Sequence, residues 1–468
     1  MGFCLCHSKG RTTANLNNLI MQRDAIDFGR TNVSKLFIRL FVPTLLGLLF
    51  GAMLNLADGV FVGRGVGSDA LAAINIAAPL FLIATGMALL FGAGVSVVAA
   101  IHLSHDNVKA ARINVTQAFG VSVLLVSCIM GLMVLFPSQT AHLFGGTDYL
   151  MPLVLDYMLW IVPGLPAGVL GFVGLFVLRL DGAPRTAMGI QVAYSLLNVI
   201  LDYVMVFPLH MGIKGAAMAT TISQMVGVLG ILYYMLFKAK TLRLYRLKFS
   251  KKSLMLTLRN AAYMARLGLS TFIGEMAMLT MMIVGNFMFV SRLGEDGVAA
   301  FSVACYLLPL VFMIGNAIAQ SSLPIISYNY GLSEWSRIAR ARRLSLGLAA
   351  VCGLVTTIVG VLYSPLIAGV FLLGGQPAWQ IAVNGFPWYS ISFVFFSVNV
   401  VFIGYYQSIE RPKLATLFML LRGFVIILPA FILLPRFIGN VGLWLAVPFT
   451  ELITLLVMVT YFWASGKK

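Results

Sequence analysis

Gly67-Ser-Asp-Ala-Leu-Ala-Ala-Ile-Asn-Ile76 and Gly294-Glu-Asp-Gly-Val-Ala-Ala-Phe-Ser-Val303 are two versions of one decapeptide, set half the chain apart. A second pair keeps the same offset: Pro208-Leu-His-Met-Gly-Ile-Lys-Gly215 returns as Pro435-Arg-Phe-Ile-Gly-Asn-Val-Gly442. Solenoid units repeat every 20 to 50 residues or so, and the period here is instead half a protein. In a chain that lies in a bilayer, duplication on this scale builds two helix bundles that rock against each other around a site. Transport is the first function such a repeat suggests.

Composition places the chain in the membrane. Of its 468 residues 60% are hydrophobic and 10% charged, against about 25% charged in soluble domains. Apolar stretches of the roughly 20 residues needed to span follow one another at 34–63, 68–103, 107–136, 150–178, 184–207 and 212–237, then at 263–292, 298–330, 338–363, 380–408, 413–434 and 440–464. The expected fold is all-α and integral to the membrane, with twelve transmembrane helices. Six spans per half give both halves the same orientation, related by a pseudo-twofold along the membrane normal. The expected layout is a tail at 1–33, a first lobe at 34–237, a basic linker at 238–262 and a second lobe at 263–468.

The net charge of +17 raises nucleic acid as a partner. Its distribution removes the need for one. With the N-terminus inside, only Arg64, Lys214, Arg292 and Arg436 fall on the outer side, and Arg422 lies within a span. The remaining Lys and Arg residues collect on one side, as the positive-inside rule requires, and both termini are expected in the cytoplasm. The linker either anchors by this rule or contacts anionic lipid. Cys4, Cys6, Cys128, Cys305 and Cys352 have no metal-site spacing, and their odd number argues against a disulfide framework. Residues 1–30 hold no signal-peptide core. No His-Glu-x-x-His or Ser-His arrangement supports a membrane enzyme, and no cofactor is expected.

Acidic residues at membrane depth carry the functional reading, since each costs roughly 2.5–3.5 kcal/mol to insert unless it finds a partner, a proton or a cation. Asp58 and Asn55 share one face of the first span, Asn198 and Asp202 one face of the fifth, and Thr220 and Gln224 one face of the sixth. If these helices converge, two carboxylates, an amide and a hydroxyl form one pocket. Two carboxylates in a low dielectric cannot both ionise uncompensated, and oxygen-only ligands suit Na⁺ or a proton over a soft metal. Hydration near the outer interface is the alternative for Asp58 and Asp202. Glu275 and Glu451 lie deep in the seventh and twelfth spans, as coupling or substrate groups or as partners of Arg422 or a helix backbone.

The stretches around these residues, Ala57-Asp-Gly-Val-Phe-Val-Gly63, Arg179-Leu-Asp-Gly-Ala-Pro-Arg-Thr-Ala-Met188, Asn198-Val-Ile-Leu-Asp202, Gly212-Ile-Lys-Gly-Ala-Ala-Met-Ala-Thr220 and Tyr406-Gln-Ser-Ile-Glu-Arg-Pro412, resemble the MATE (multidrug and toxic compound extrusion) transporters, nearest the bacterial DinF/MepA-like branch. The resemblance runs over about 34–464. It implies the V-shaped two-lobe fold of the MOP flippase superfamily, working as a monomer in the bacterial inner membrane. It further implies efflux of amphipathic, often cationic, compounds by alternating access, coupled to H⁺ or Na⁺. The family's N-lobe cation site maps onto Asp58, Asn198, Asp202 and Thr220, a helix-bending proline onto Pro43, and a C-lobe acid onto Glu275. A further C-lobe aspartate has no acidic match in 380–408. A lipid-linked oligosaccharide flippase on the same architecture is the second reading, though it would need several cavity cations. Moving the four cation-site positions by the offset of the repeat lands on Gly285, Val425, Pro429 and Val447. The coupling chemistry is expected in one lobe only.

Overall fold

The computed structural model describes residues 27–66, 68–144, 148–247, 250–372 and 374–465, all helices and turns with no strand among them. In chain order the helices are α1 (Val33–Gly65), α2 (Ser68–Ser104), α3 (Val108–Leu135), α4 (Pro137–Leu143), α5 (Met151–Ile161), α6 (Leu165–Leu180), α7 (Pro184–Val206) and α8 (Gly212–Tyr233). The second half holds α9 (Lys251–Gly331), α10 (Trp335–Leu362), α11 (Ser364–Phe371), α12 (Pro377–Ser390), α13 (Ser392–Ser408), α14 (Pro412–Leu420), α15 (Ile427–Ile438) and α16 (Val441–Ala464). Among the described residues, 11 segments are long and apolar enough to cross a membrane, and α12 with α13, bent by 41°, makes a twelfth. The break in α9 falls at Gly294, whose φ of 68° a side chain would resist.

The repeat is visible in the helix ends themselves. Both ends of α10 follow those of α3 by the offset that separates the two decapeptides. The left-handed turns recur as well: Asp106 (φ 56°) pairs with Ser333 (φ 59°), and Gly212 (φ 60°) with Gly439 (φ 64°). At these two junctions the same turn chemistry ends the helices in both copies.

Glycines let the two lobes touch at the end that carries the basic loops. A Cβ on Gly94 of α2 would strike the carbonyl of Met264, and one on Gly268 of α9 would strike the carbonyl of Leu90. The Thr271 hydroxyl donates to the Leu89 carbonyl across the same seam at 3.3 Å. Nearer the loops, Asn260 donates to Gln117 at 2.9 Å, and Gln117 to Thr257 at 2.9 Å. Arg337 reaches over to the carbonyls of Phe28 (2.9 Å) and Thr31 (2.7 Å). This end of the molecule is closed.

The segment 238–262 is not one surface linker. Its first part lies against the first lobe, where the Asp181 carboxylate accepts the N–H groups of Lys240, Thr241 and Leu242 and the Tyr234 hydroxyl, all at 2.8–2.9 Å. Its later part is already α9, which starts at Lys251 behind a Ser250 cap that accepts from the Ser253 N–H. A capping serine followed by helix-favouring residues explains the early start.

Candidate functional site

Helices α1 and α7 meet on both sides of the first lobe's acidic positions. Toward the basic-loop end, Gly47 leaves room for the Gln191 carboxamide, which a Cβ would meet at 2.7 Å. Toward the other end, the Phe61 ring packs on Tyr203 and Phe207 at 6.3 and 6.1 Å. The side chains of Asn55 and Asp58 lie outside the described residues. Pro43 sits buried inside α1, which continues through it from Val33 to Gly65.

Of the remaining first-lobe candidates, Asn198 and Thr220 meet. Asn198 Nδ2 donates to Thr220 Oγ1 at 3.3 Å, joining α7 to α8. Asp202 is fully buried one turn further along α7. Gly227 permits the close approach of these two helices, since a Cβ there would meet the Tyr194 ring at 2.8 Å.

Asn198, Thr220 and Gln224 open onto a cavity of about 340 Å³ between the lobes. The second lobe contributes Glu275, Asn316 and Gln320 from α9. Glu275, expected deep in its span, is thus a wall of the central cavity. Among the described residues, no Lys, Arg or His lines it. The Gln191 and Gln224 side-chain oxygens make no hydrogen bond to the described residues. Buried acceptors of that kind are ordinarily satisfied by water or a ligand. One carboxylate ringed by amides, aromatic rings and methionine suits a cation with apolar bulk.

Glu451 and Arg422 lie elsewhere. They form a buried ion pair inside the second lobe, with Arg422 Nε 2.5 Å from Glu451 Oε1. Asn399 donates to Glu451 Oε2 at 2.7 Å and to the Glu451 carbonyl at 2.8 Å. The Arg422 guanidinium also covers the Phe396 ring at 4.0 Å. Arg422 is carried on a π-helical turn, Leu421–Val425, that displaces it from the regular helical path. Of the two roles open to Glu451, this geometry is the internal pairing.

Arg179 is grouped with the loop cations by the positive-inside pattern. It is buried at the end of α6 and donates to Gln320 Oε1 across the lobe interface at 2.7 Å. Its position in the last turn of an apolar run was the only available signal.

Comparison with known proteins places this arrangement. Residues 43–204 and 271–432 each match the MatE family model, once per lobe. A FAD transporter of Shewanella oneidensis is 26% identical over 430 residues, covering 90% of this chain and 92% of that protein. The multidrug export protein MepA of Staphylococcus saprophyticus is 23% identical over 424 residues, covering 89% and 90%. Among solved structures, an outward-facing multidrug resistance MATE family transporter of the MOP superfamily superposes with a TM-score of 0.85 at 22% identity, over 93% of this chain and 96% of that one.

Proposed function

Because the chain belongs to the MatE family, and so is a membrane transporter and not an enzyme, we propose that it is a multidrug efflux antiporter driven by H⁺ or Na⁺. Its substrates are amphipathic organic cations, and it works by alternating access in the bacterial inner membrane. Both termini and the basic-loop end face the cytoplasm, in keeping with the positive-inside rule. The protein acts as a monomer without cofactor or nucleic acid, and Na⁺ is the only metal ion in the scheme.

The observation that carries this reading is the lining of the central cavity: Glu275 with several amides, and no basic side chain among the described residues. The relatives point two ways, since one is named for FAD and another for multidrug export. A dinucleotide brings a diphosphate and needs Lys or Arg at its site. A lipid-linked oligosaccharide makes the same demand, so the flippase reading is not favoured.

The coupling ion binds in the first lobe, at Asp58, Asn198, Asp202 and Thr220. Two neighbouring carboxylates at membrane depth hold one proton or one Na⁺ better than two full charges. Asn198 and Thr220, already bonded to each other, supply neutral oxygens suited to a hard cation. Ion entry changes how α1 lies on α7, and Pro43 supplies the point at which α1 bends, since a proline there frees a backbone carbonyl. The central cavity then loses its complementarity to the drug. An efflux-deficient bacterial host expressing the chain tests the scheme under imposed pH and Na⁺ gradients. Extrusion of an ethidium-type cation that stops when the gradient collapses is the expected result. Export of FAD with no extrusion of any organic cation would overturn it.

A further inference from the structure

Away from the central cavity, the basic-loop end of the first lobe contains a hollow of about 640 Å³. Arg39 of α1, Arg185 of α7, Lys238 beyond α8 and Lys240 of the linker line it, and no acidic residue does so among the described residues. Arg39, Arg185 and Lys238 are exposed cations of like charge, and an anion in the hollow relieves their mutual repulsion. The neighbouring Asp181 turns its carboxylate to the linker backbone and the Tyr234 hydroxyl. Helix α7 begins in the wall at Pro184, and its N-cap residue Ala183 supplies no side-chain acceptor for the first-turn N–H groups. Further along α7 and α8 the lining is apolar, with Ile190 beside Gly230 and the exposed ring of Tyr233. The hollow is therefore charged at one end and greasy at the other.

The second lobe carries a different charge pattern at the corresponding positions. Arg39 recurs as Arg266 at the offset of the repeat, and Arg185 recurs as Lys413, one position beyond it. The position of Gly182, on the rim of the hollow, recurs in the register of Lys413 as Glu410. Glu410 brings its own negative charge and accepts a hydrogen bond from the Tyr263 hydroxyl.

We propose that the first-lobe hollow binds the phosphate headgroup of an anionic phospholipid from the leaflet on the basic-loop side. Arg39, Arg185 and Lys238 surround the phosphate, and the acyl chains leave past Ile190 and Tyr233. A lipid suits the apolar wall and the volume, which greatly exceeds that of a free phosphate ion. The site is independent of which substrate the transporter carries.

Lipid retention tests it. The purified full chain is equilibrated with equal phosphatidylglycerol and phosphatidylcholine, and bound lipid is counted by native mass spectrometry. Wild type is expected to retain phosphatidylglycerol selectively. Arg185→Gln with Lys238→Gln should lower that retention about 25-fold, taking roughly fivefold per basic residue at an anionic surface. Arg340→Gln with Arg343→Gln removes the same charge from exposed positions of the second lobe and should leave retention unchanged. Equal losses in the two double variants would reduce the effect to diffuse surface charge and overturn the site. Undiminished retention in the first double variant would do the same, as would full displacement of the lipid by inorganic phosphate.

Discussion

The two lobes share one scaffold but treat buried charge in opposite ways. Gln224 and Glu451 occupy the same position in their respective copies of the repeat, and so do Ser195 and Arg422. In the second lobe this pair is a closed unit: Arg422 neutralises Glu451, and Asn399 fills the remaining acceptor. In the first lobe the same two positions are neutral, and the acids stand elsewhere, at Asp58 and Asp202. A lobe that carries its own counter-ion has no need of one from solution. The first lobe carries neutral oxygens at Asn198, on the helix of Asp202, and at Thr220, bonded to it, and such oxygens suit an exchangeable ion. On this reading the second lobe's pair holds structure, while the first lobe's acids respond to the gradient.

Breaking the ion pair should have the largest effect on the protein itself. Arg422→Ala or Glu451→Gln leaves a buried group uncompensated and should cost about 3–5 kcal/mol, read as a large fall in melting temperature in detergent. Arg422→Met combined with Glu451→Leu should recover most of that loss, since apolar replacement of both partners is often neutral. If the single variants stay stable but lose ion coupling, the second lobe is also a coupling site and the contrast fails.

Asp202→Asn should act in the reverse sense. Removing a buried charge leaves folding intact, while gradient-driven efflux falls by about two orders of magnitude, in keeping with loss of an ion ligand that the cycle requires. Melting temperature and efflux measured on the same preparation separate this outcome from that of Arg422→Ala. Full coupled efflux by Asp202→Asn and by Asp58→Asn would remove the first-lobe site.

The sequence made this contrast legible in part. The repeat, the matching turns and the polar pairs at Asn198/Asp202 and Thr220/Gln224 follow from spacing along single helices. The Asn198–Thr220 bond was within reach because two adjacent helices each carry a polar stripe. The Asn399–Glu451 bond was not, since α13 and α16 are distant in sequence and their approach depends on packing. The same holds for Glu275 on the cavity wall and for Arg179 on Gln320. Both depend on how closely the lobes meet, which Gly94 and Gly268 permit. Nothing in one sequence distinguishes these two among 45 glycines.

Transplanting the second lobe's arrangement into the first sharpens the comparison. Ser195→Arg with Gln224→Glu builds the Arg422–Glu451 pair at its repeat positions, beside Asn198 and Asp202. A resident guanidinium near Asp202 favours the ionised carboxylate and competes with the coupling cation, so ion affinity should fall roughly tenfold. The ion concentration giving half-maximal drug extrusion measures this. An unchanged value would mean that local charge does not set coupling in the first lobe.

The smallest effect belongs to Asn198→Ala. This substitution deletes the donor to Thr220 Oγ1, whose 3.3 Å length marks a modest bond, and it removes a neutral oxygen from the proposed ion shell. A neutral hydrogen bond contributes about 1 kcal/mol net, which corresponds to roughly a fivefold change in affinity. The two coupling ions predict different consequences. A proton resides on a carboxylate and needs no further ligand, so loss of Asn198 should barely move the pH dependence of efflux. Na⁺ needs several oxygens at once, so its half-saturating concentration should rise by that factor. Comparing pH-driven with Na⁺-driven extrusion in Asn198→Ala therefore identifies the ion. It does so because Na⁺ would draw on the Asn198 oxygen, whereas a proton would not.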